Sequence, residues 1–341
     1  RGLLALTNTQ FEHALNNGDL VAPPATYSLM IAQSAIKNSI LVITASSKAA
    51  EDLTNEVKEF YSNTLEFPAW ETLPHERLSP SSDTVARRII TLNSLKDRNQ
   101  NWIVIAPIRA VIHKINPQIF KYDPITLQHG QEYDLSKLQE QLNLFGYKRT
   151  DLVERRGEFA VRGGILDIFS PDQIHPIRID FFGDEIEDLS FFNVSDQRST
   201  ESITDLIQVL PCRELLINEE IRTTALNRSK EIESELLKKV ADGLQPEGME
   251  SLIPLLIGEL KLLPEFMPTK FETILIEKER VLSRISDLLA TNEEFREAAW
   301  SNAAIGGEAP IEISKMSETF VDWEELSSKL NSQKDFRQFG G

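Results

Sequence analysis

Arg162, Arg178 and Phe182 are the side chains with the clearest chemical opportunity in this 341-residue chain. Arg162 follows Val161, and Arg178 lies between Ile177 and Ile179, so period-two strands would bury the aliphatic residues and turn both guanidiniums to the other face. An outward guanidinium offers charge-assisted hydrogen bonds, and Phe182 beside it offers contact area that a partner can desolvate, which is the composition of a protein-binding hot spot. The alternative is an ordinary solvated face on which the same arginines pair with Glu154, Glu158 and Asp180. Surface pairs of that kind contribute little to stability. Pattern alone favours this ordinary reading over the hot spot.

The elements that must position these residues lie between Glu154 and Asp188. Phe159 and Val161, then Ile165, Ile168 and Phe169, then Ile177, Ile179 and Phe181 fall in short runs broken by Gly157, Gly163, Gly164, Pro171, Pro176 and Gly183. Such runs predict antiparallel strands with one buried and one wetted face. A helix through Leu135, Leu138, Leu142 and Phe145, closed by Gly146, is predicted to precede them. The acidic run Asp184-Glu185-Ile186-Glu187-Asp188 reads as a turn at Gly183-Asp184 with solvated carboxylates on the next strand, in preference to a metal site. Residues 117–211 are thus expected to form a small α+β domain.

The flanking regions have α/β character. Ile40–Thr44 and Trp102–Ala106 read as buried strands, with helical spacing through Ala49, Leu53 and Val57 and again from Thr84 to Leu95. Asp83 is the expected N-cap of the second helix, with Arg87 and Arg88 exposed on it. Alternation of this kind implies a parallel sheet covered by helices. Thr273–Ile276 is strand-like and is expected to return to the same sheet, and Glu279–Trp300 resumes helical spacing, with Val281, Ile285, Leu288 and Leu289 on one face. The expected organisation is an α/β domain in two parts, 1–116 and 212–316, interrupted by the insertion at 117–211. An amphipathic segment, 317–341, follows and leads toward a linker.

Composition removes several function classes. Lys and Arg total 36 against 53 Asp and Glu, a net charge of −17, which opposes a polyphosphate surface. The single Cys212 rules out an internal disulfide and points to a reducing compartment, with the cytoplasm as the expected location. His13, His75, His113, His129 and His175 are scattered, so no zinc cluster is expected. Ser81-Ser82-Asp83 near His75 lacks the glycine pattern of a nucleophile elbow. No apolar run approaches the roughly 20 residues that span a bilayer. Neither a catalytic group nor a cofactor is expected.

Ordered motifs along the chain resemble a known family. Glu158-Phe159-Ala160-Val161-Arg162-Gly163, Ile165-Leu166-Asp167-Ile168-Phe169 and Arg178-Ile179-Asp180-Phe181-Phe182-Gly183-Asp184-Glu185-Ile186 are similar to a segment shared by the excision-repair helicase UvrB and the bacterial transcription-repair coupling factors (Mfd). The flanks Trp70-Glu71-Thr72-Leu73-Pro74, Ser79-Pro80-Ser81-Ser82-Asp83, Gln197-Arg198-Ser199 and Leu210-Pro211-Cys212-Arg213-Glu214 agree, the first of them with the coupling factors. The resemblance implies a UvrB-like, degenerate P-loop-type α/β domain whose inserted domain binds UvrA through Arg162, Arg178 and Phe182. Arg155 and Arg156 receive no role from it. A chain that opens with Arg1 and closes on Gly340-Gly341 is then expected to be the N-terminal portion of a longer motor protein. In that setting it would contact other domains of the same protein, and RNA polymerase and DNA only through regions outside this chain. Two alternatives accompany this reading, a UvrB-like helicase with ATPase activity and a purely autoinhibitory clamp.

The helicase alternative meets a chemical obstacle. A P-loop needs closely spaced glycines, whose amides wrap the phosphates, followed by Lys and Ser or Thr. The corresponding stretch reads Leu20-Val21-Ala22-Pro23-Pro24-Ala25-Thr26-Tyr27, with no Gly or Lys and two residues that lack an amide donor. UvrB also carries an aromatic-rich hairpin that grips DNA, whereas no Tyr, Phe or Trp occurs between Glu71 and Asn101. The expected outcome is that calorimetric titration of the chain with ATP and magnesium gives no heat of binding; stoichiometric binding in the micromolar range would restore the nucleotide reading.

Overall fold

Aliphatic runs without polar interruption, Ser39–Thr44 and Ile103–Pro107, form strands buried along their whole length, as a parallel sheet covered on both faces requires. The computed structural model in which they sit describes residues 20–72, 78–304 and 319–338. His13, Leu73, Pro74 and His75 of the sequence reading, and residues 305–318 and 339–341 of the expected C-terminal segments, lie outside the described residues. In chain order the strands are β1 (Leu20–Val21), β2 (Ser39–Thr44), β3 (Thr64–Glu66), β4 (Ile103–Pro107), β5 (Ile125–Leu127), β6 (Lys148–Arg149) and β7 (Glu158–Arg162). There follow β8 (Ile165–Ile168), β9 (Ile177–Phe182), β10 (Glu185–Phe192), β11 (Ser199–Ser202), β12 (Ile207–Val209), β13 (Phe271–Ile276) and β14 (Gln333–Arg337).

The described residues divide into two compact units, one drawn from 20–72, 91–115, 259–304 and 319–338, the other from 78–90 and 116–258. The first holds a parallel sheet in the order β1-β14-β13-β2-β4-β3. Ile31, Val42, Ile105, Ile274 and Phe336 meet in its core. Ser46 caps the helix Ser47–Lys58 by accepting from the Ala49 amide at 3.2 Å, and that helix buries Ala50, Leu53 and Val57. Strand β13 pairs with β2 in the first unit's sheet, as its sequence pattern predicts.

Strand β14 was not legible in the amphipathic pattern of 317–341. Its residues Gln333-Lys334-Asp335-Phe336-Arg337 include one aliphatic or aromatic side chain, and strand structure is imposed by pairing with β13 on one side and β1 on the other. Asp335 adds a local reason: its carboxylate accepts from the Lys278 amide at 3.0 Å and so caps the helix Lys278–Ala304. At the segment corresponding to a P-loop, β1 runs into a turn of 3-10 helix, Pro24–Thr26, and then the helix Tyr27–Ser34. The Thr26 amide and hydroxyl both donate to the Pro23 carbonyl, at 2.9 and 2.7 Å. The Tyr27 amide likewise donates to the Pro24 carbonyl, so these donors close on the turn itself.

The second unit contains the antiparallel pair β5–β12 and a six-stranded sheet in the order β11-β10-β9-β8-β7-β6. All neighbours in that sheet are antiparallel except β6–β7. The predicted helix appears as Leu135–Leu144, capped by Asp134, with Leu138 and Leu142 buried. Helices Glu219–Arg228 and Glu235–Ala241 also belong to this unit.

Two expectations on the helix Ser82–Ser94 are corrected. Its cap is Ser81, whose hydroxyl accepts from the Thr84 amide at 3.2 Å, while Asp83 lies inside the first turn and pairs with Arg87 four residues on. Arg88, expected to be exposed, is fully buried: Nε and Nη2 donate to the two Glu214 carboxylate oxygens at 2.6 and 3.2 Å. Exposure is 0% for the arginine side chain and 1% for the glutamate. A desolvated pair of this kind is strongly destabilising to break from one side, yet replaceable by apolar groups of similar volume. Arg88→Ala is expected to lower unfolding stability by about 3 to 5 kcal/mol, measured by urea titration with circular dichroism. The double replacement Arg88→Met/Glu214→Leu should recover most of that loss.

Candidate protein-recognition site

Alternation along β7, β8 and β9 builds a two-faced sheet. Leu166, Ile168, Ile177 and Ile179 are fully buried on one face. On the other, cross-strand pairing lines up Asp167 with Arg178 and Ser190, Ile165 with Asp180 and Asp188, and Phe182 with Glu185. All three residues singled out in the sequence lie on this sheet, Arg162 at the end of β7 and Arg178 and Phe182 on β9.

The arginines converge on one carboxylate. Arg178 Nε and Nη2 donate to Asp167 Oδ1 and Oδ2 at 2.8 and 2.9 Å, and Arg162 Nη2 donates to the same Oδ2 at 2.5 Å. Arg178 Nη1 donates to the Gln197 carbonyl at 2.9 Å, and its guanidinium carbon stands 4.6 Å from the Phe192 ring centre. Phe192 is buried with Val153, Ala160 and Phe169. The carboxylate is 1% exposed, the Arg178 side chain 14% and the Arg162 side chain 45%. The hydrogen bonds from Arg178 to Asp167 raise the guanidinium's affinity for its proton, against the opposing effect of its burial.

This arrangement corrects the sequence reading in two respects. The counter-ion is Asp167, whereas Glu158 accepts backbone amides of Glu154 and Arg155 at 2.9 Å. Arg178 is also no freely solvated group; parity turned it away from the aliphatic core, but Phe192 and Gln197 partly cover it. The sequence signal for Asp167 was a carboxylate inside the aliphatic run Ile165-Leu166-Asp167-Ile168, where burial demands a cation. Arg156 is engaged elsewhere: its Nε donates to the Gln173 carbonyl at 3.1 Å and its guanidinium stacks 5.4 Å from Phe169.

Phe182 is 76% exposed. The hairpin that carries it is braced through backbone: Gly183, at φ +66°, closes the tight β9–β10 turn, and loop residues 130–133 hold the start of β10. There the amides of Gly130 and Tyr133 donate to the carbonyls of Ile186 and Asp184, and the Ile186 amide donates to the Gln131 carbonyl, all between 2.6 and 2.9 Å. Between β7 and β8 a Cβ on Gly164 would stand 2.9 Å from the Phe181 carbonyl oxygen, so glycine is what lets this turn lie against β9. Phe182 thus presents an aromatic surface on a fixed hairpin.

Beside it, the cross-strand pair Asp180 and Asp188 brings two carboxylates together. Loss of solvation, followed by repulsion from Asp188, raises the Asp180 carboxyl above its ordinary value, partly offset by Arg178. A carboxyl whose folded-state pKa is raised binds a proton more readily in the folded chain, so stability falls as pH rises through that value and is regained below it. Asp188→Asn is expected to raise the thermal midpoint at pH 7. That gain should shrink as pH falls toward the ordinary aspartate value of 3.8, as scanning calorimetry across pH can test.

The model of the UvrB interaction domain matches residues 125–215. The transcription-repair-coupling factor of Mycobacterium bovis is 36% identical over 319 residues, covering 87% of this chain and 26% of that protein. Those of Escherichia coli and Bacillus subtilis are 29% and 31% identical over 69% and 60% of the chain. The chain therefore spans about a quarter of the length of its mycobacterial relative. It is a relative of the transcription-repair-coupling factors, corresponding to part of their length, and carries a UvrB interaction domain over residues 125–215.

Proposed function

We propose that the chain is a recruitment module of transcription-coupled repair that captures UvrA through the face formed by Arg162, Arg178 and Phe182. The observation that carries this reading is the combination of a braced, 76% exposed Phe182 with two guanidiniums held on the same sheet. A hairpin braced in that way gives up little backbone freedom on docking, and the cations of the same sheet face direct it toward acceptor groups. The module works without ATP, since the Pro23-Pro24 turn offers no phosphate cradle. Residues 117–211 serve as the UvrA-binding domain. In the longer cytoplasmic protein the module also contacts the motor domains and helps to restrain them, while RNA polymerase and DNA are met by other regions.

Calorimetric titration of the chain with purified UvrA tests the reading. Phe182→Ala is expected to weaken binding by about 2 kcal/mol, roughly thirtyfold in Kd, with an unchanged thermal midpoint because the ring is exposed. Arg162→Ala, whose side chain is half-exposed, should cost about 1 kcal/mol. Equal binding by both variants and the parent would move the interface elsewhere, and no binding by the parent would remove recruitment altogether.

A further inference from the structure

We infer that Asp167 and Gln197 are positioning residues for Arg178, fixing its guanidinium before any partner arrives and leaving a defined pair of N–H groups for an acceptor oxygen; this rests on the reading that the face binds UvrA. A guanidinium has five N–H donors. Nε and Nη2 meet the Asp167 carboxylate and Nη1 meets the Gln197 carbonyl. One N–H on each terminal nitrogen therefore remains. Phe192 beneath the plane blocks tilting away from the sheet. The side chain is thus held by bonds from two directions and by a ring below, which removes the rotamer freedom that binding would otherwise have to quench.

Gln197 has features that a spectator loop residue does not need. Its backbone is left-handed, φ +61°, an uncommon conformation for a residue with a side chain. Its side-chain Nε2 donates to the carbonyls of Val194 and Val153 at 2.9 and 3.2 Å, and its amide donates to Asn193 at 2.8 Å. These bonds hold the β10–β11 loop closed, with the Gln197 carbonyl aimed at Arg178. Gln197 Oε1 is buried and finds no partner among the described residues. Burying an unmatched acceptor is unfavourable, so the amide is held where its N–H groups, rather than its oxygen, are used.

The test follows the Arg178 Nε–H resonance in side-chain 15N–1H spectra of the chain without UvrA, and then titrates UvrA. The inference expects the Arg178 proton to exchange at least about tenfold more slowly than that of exposed Arg155, because its hydrogen bond must open first. Protection should be lost in Asp167→Asn and reduced in Gln197→Gly, which retains the carbonyl and removes the side-chain anchors. Both substitutions should weaken UvrA binding by about tenfold in the parent; in an Arg178→Ala background the Gln197→Gly effect should fall below about twofold, since residues acting through one side chain are not additive, and Asp167→Asn should keep only the part it exerts through Arg162. Unchanged protection in both variants, or an undiminished effect without Arg178, overturns the inference. If circular dichroism shows that Asp167→Asn does not fold, Gln197→Gly decides by the same criteria. A parent that fails to bind UvrA overturns the recruitment reading instead, and the exchange measurements then decide the positioning roles alone.

Discussion

A carboxylate removed from water must be matched, and Asp167 is matched twice. It sits in the middle of β8 with 1% of its side chain exposed and takes hydrogen bonds from Arg178 on β9 and Arg162 on β7. An unpaired buried charge is far more costly than a paired one, so this carboxylate ties the registers of three strands to the placement of two guanidiniums. A one-residue slip of β9 would send Arg178 to the aliphatic face and leave Ile177 or Ile179 opposite Asp167. The charge cluster and the strand alternation therefore specify the same register, which is the mutual consistency that singles out one fold.

Much of the fold could be read from local pattern, and the failures share a cause. The strands from Ile40, Trp102 and Thr273, the helix ending before Gly146 and the turn at Gly183 were legible because apolar periodicity and glycine punctuation are local signals. Arg88 was misplaced because helical spacing says which face a residue occupies and nothing of a glutamate 126 positions away that makes its burial tolerable. Strand β14 was missed because its one strong apolar side chain, Phe336, gives no period, and its conformation comes from neighbours on both edges. Within the candidate site, types and positions of Arg162, Arg178 and Phe182 were legible, but their counter-ion was not. Period-two parity identified the face correctly while saying nothing about what covers it.

The first unit's parallel sheet rests on interactions that involve no ligand. Its parallel strands depend on buried Ile, Leu and Val and on hydrogen bonds among themselves, none of which requires a nucleotide. Phosphate binding depends instead on free amides in a short loop. Pro23 and Pro24 carry no such donor, and the Thr26 and Tyr27 amides are turned to the carbonyls of Pro23 and Pro24. Fold and ligand chemistry are thus carried by different residues, and fold likeness alone says nothing of turnover.

The same separation applies within the three-residue motif. Arg178 is both a stability determinant and a candidate contact, because it neutralises Asp167 and stacks on Phe192. Its removal must therefore alter the face as well as any interface. Phe182 carries no such burden: its ring is exposed, and the hairpin beneath it is held by Gly183 and by backbone bonds from residues 130–133. Arg162 lies between the two, bonded to Asp167 yet half in solvent. Because the Phe182 ring contributes little to its own fold, a substitution there reports on an interface with little effect on the sheet. The physical weight of the recognition reading thus rests first on Phe182, and on the arginines to the extent that their fixed geometry reaches beyond Asp167.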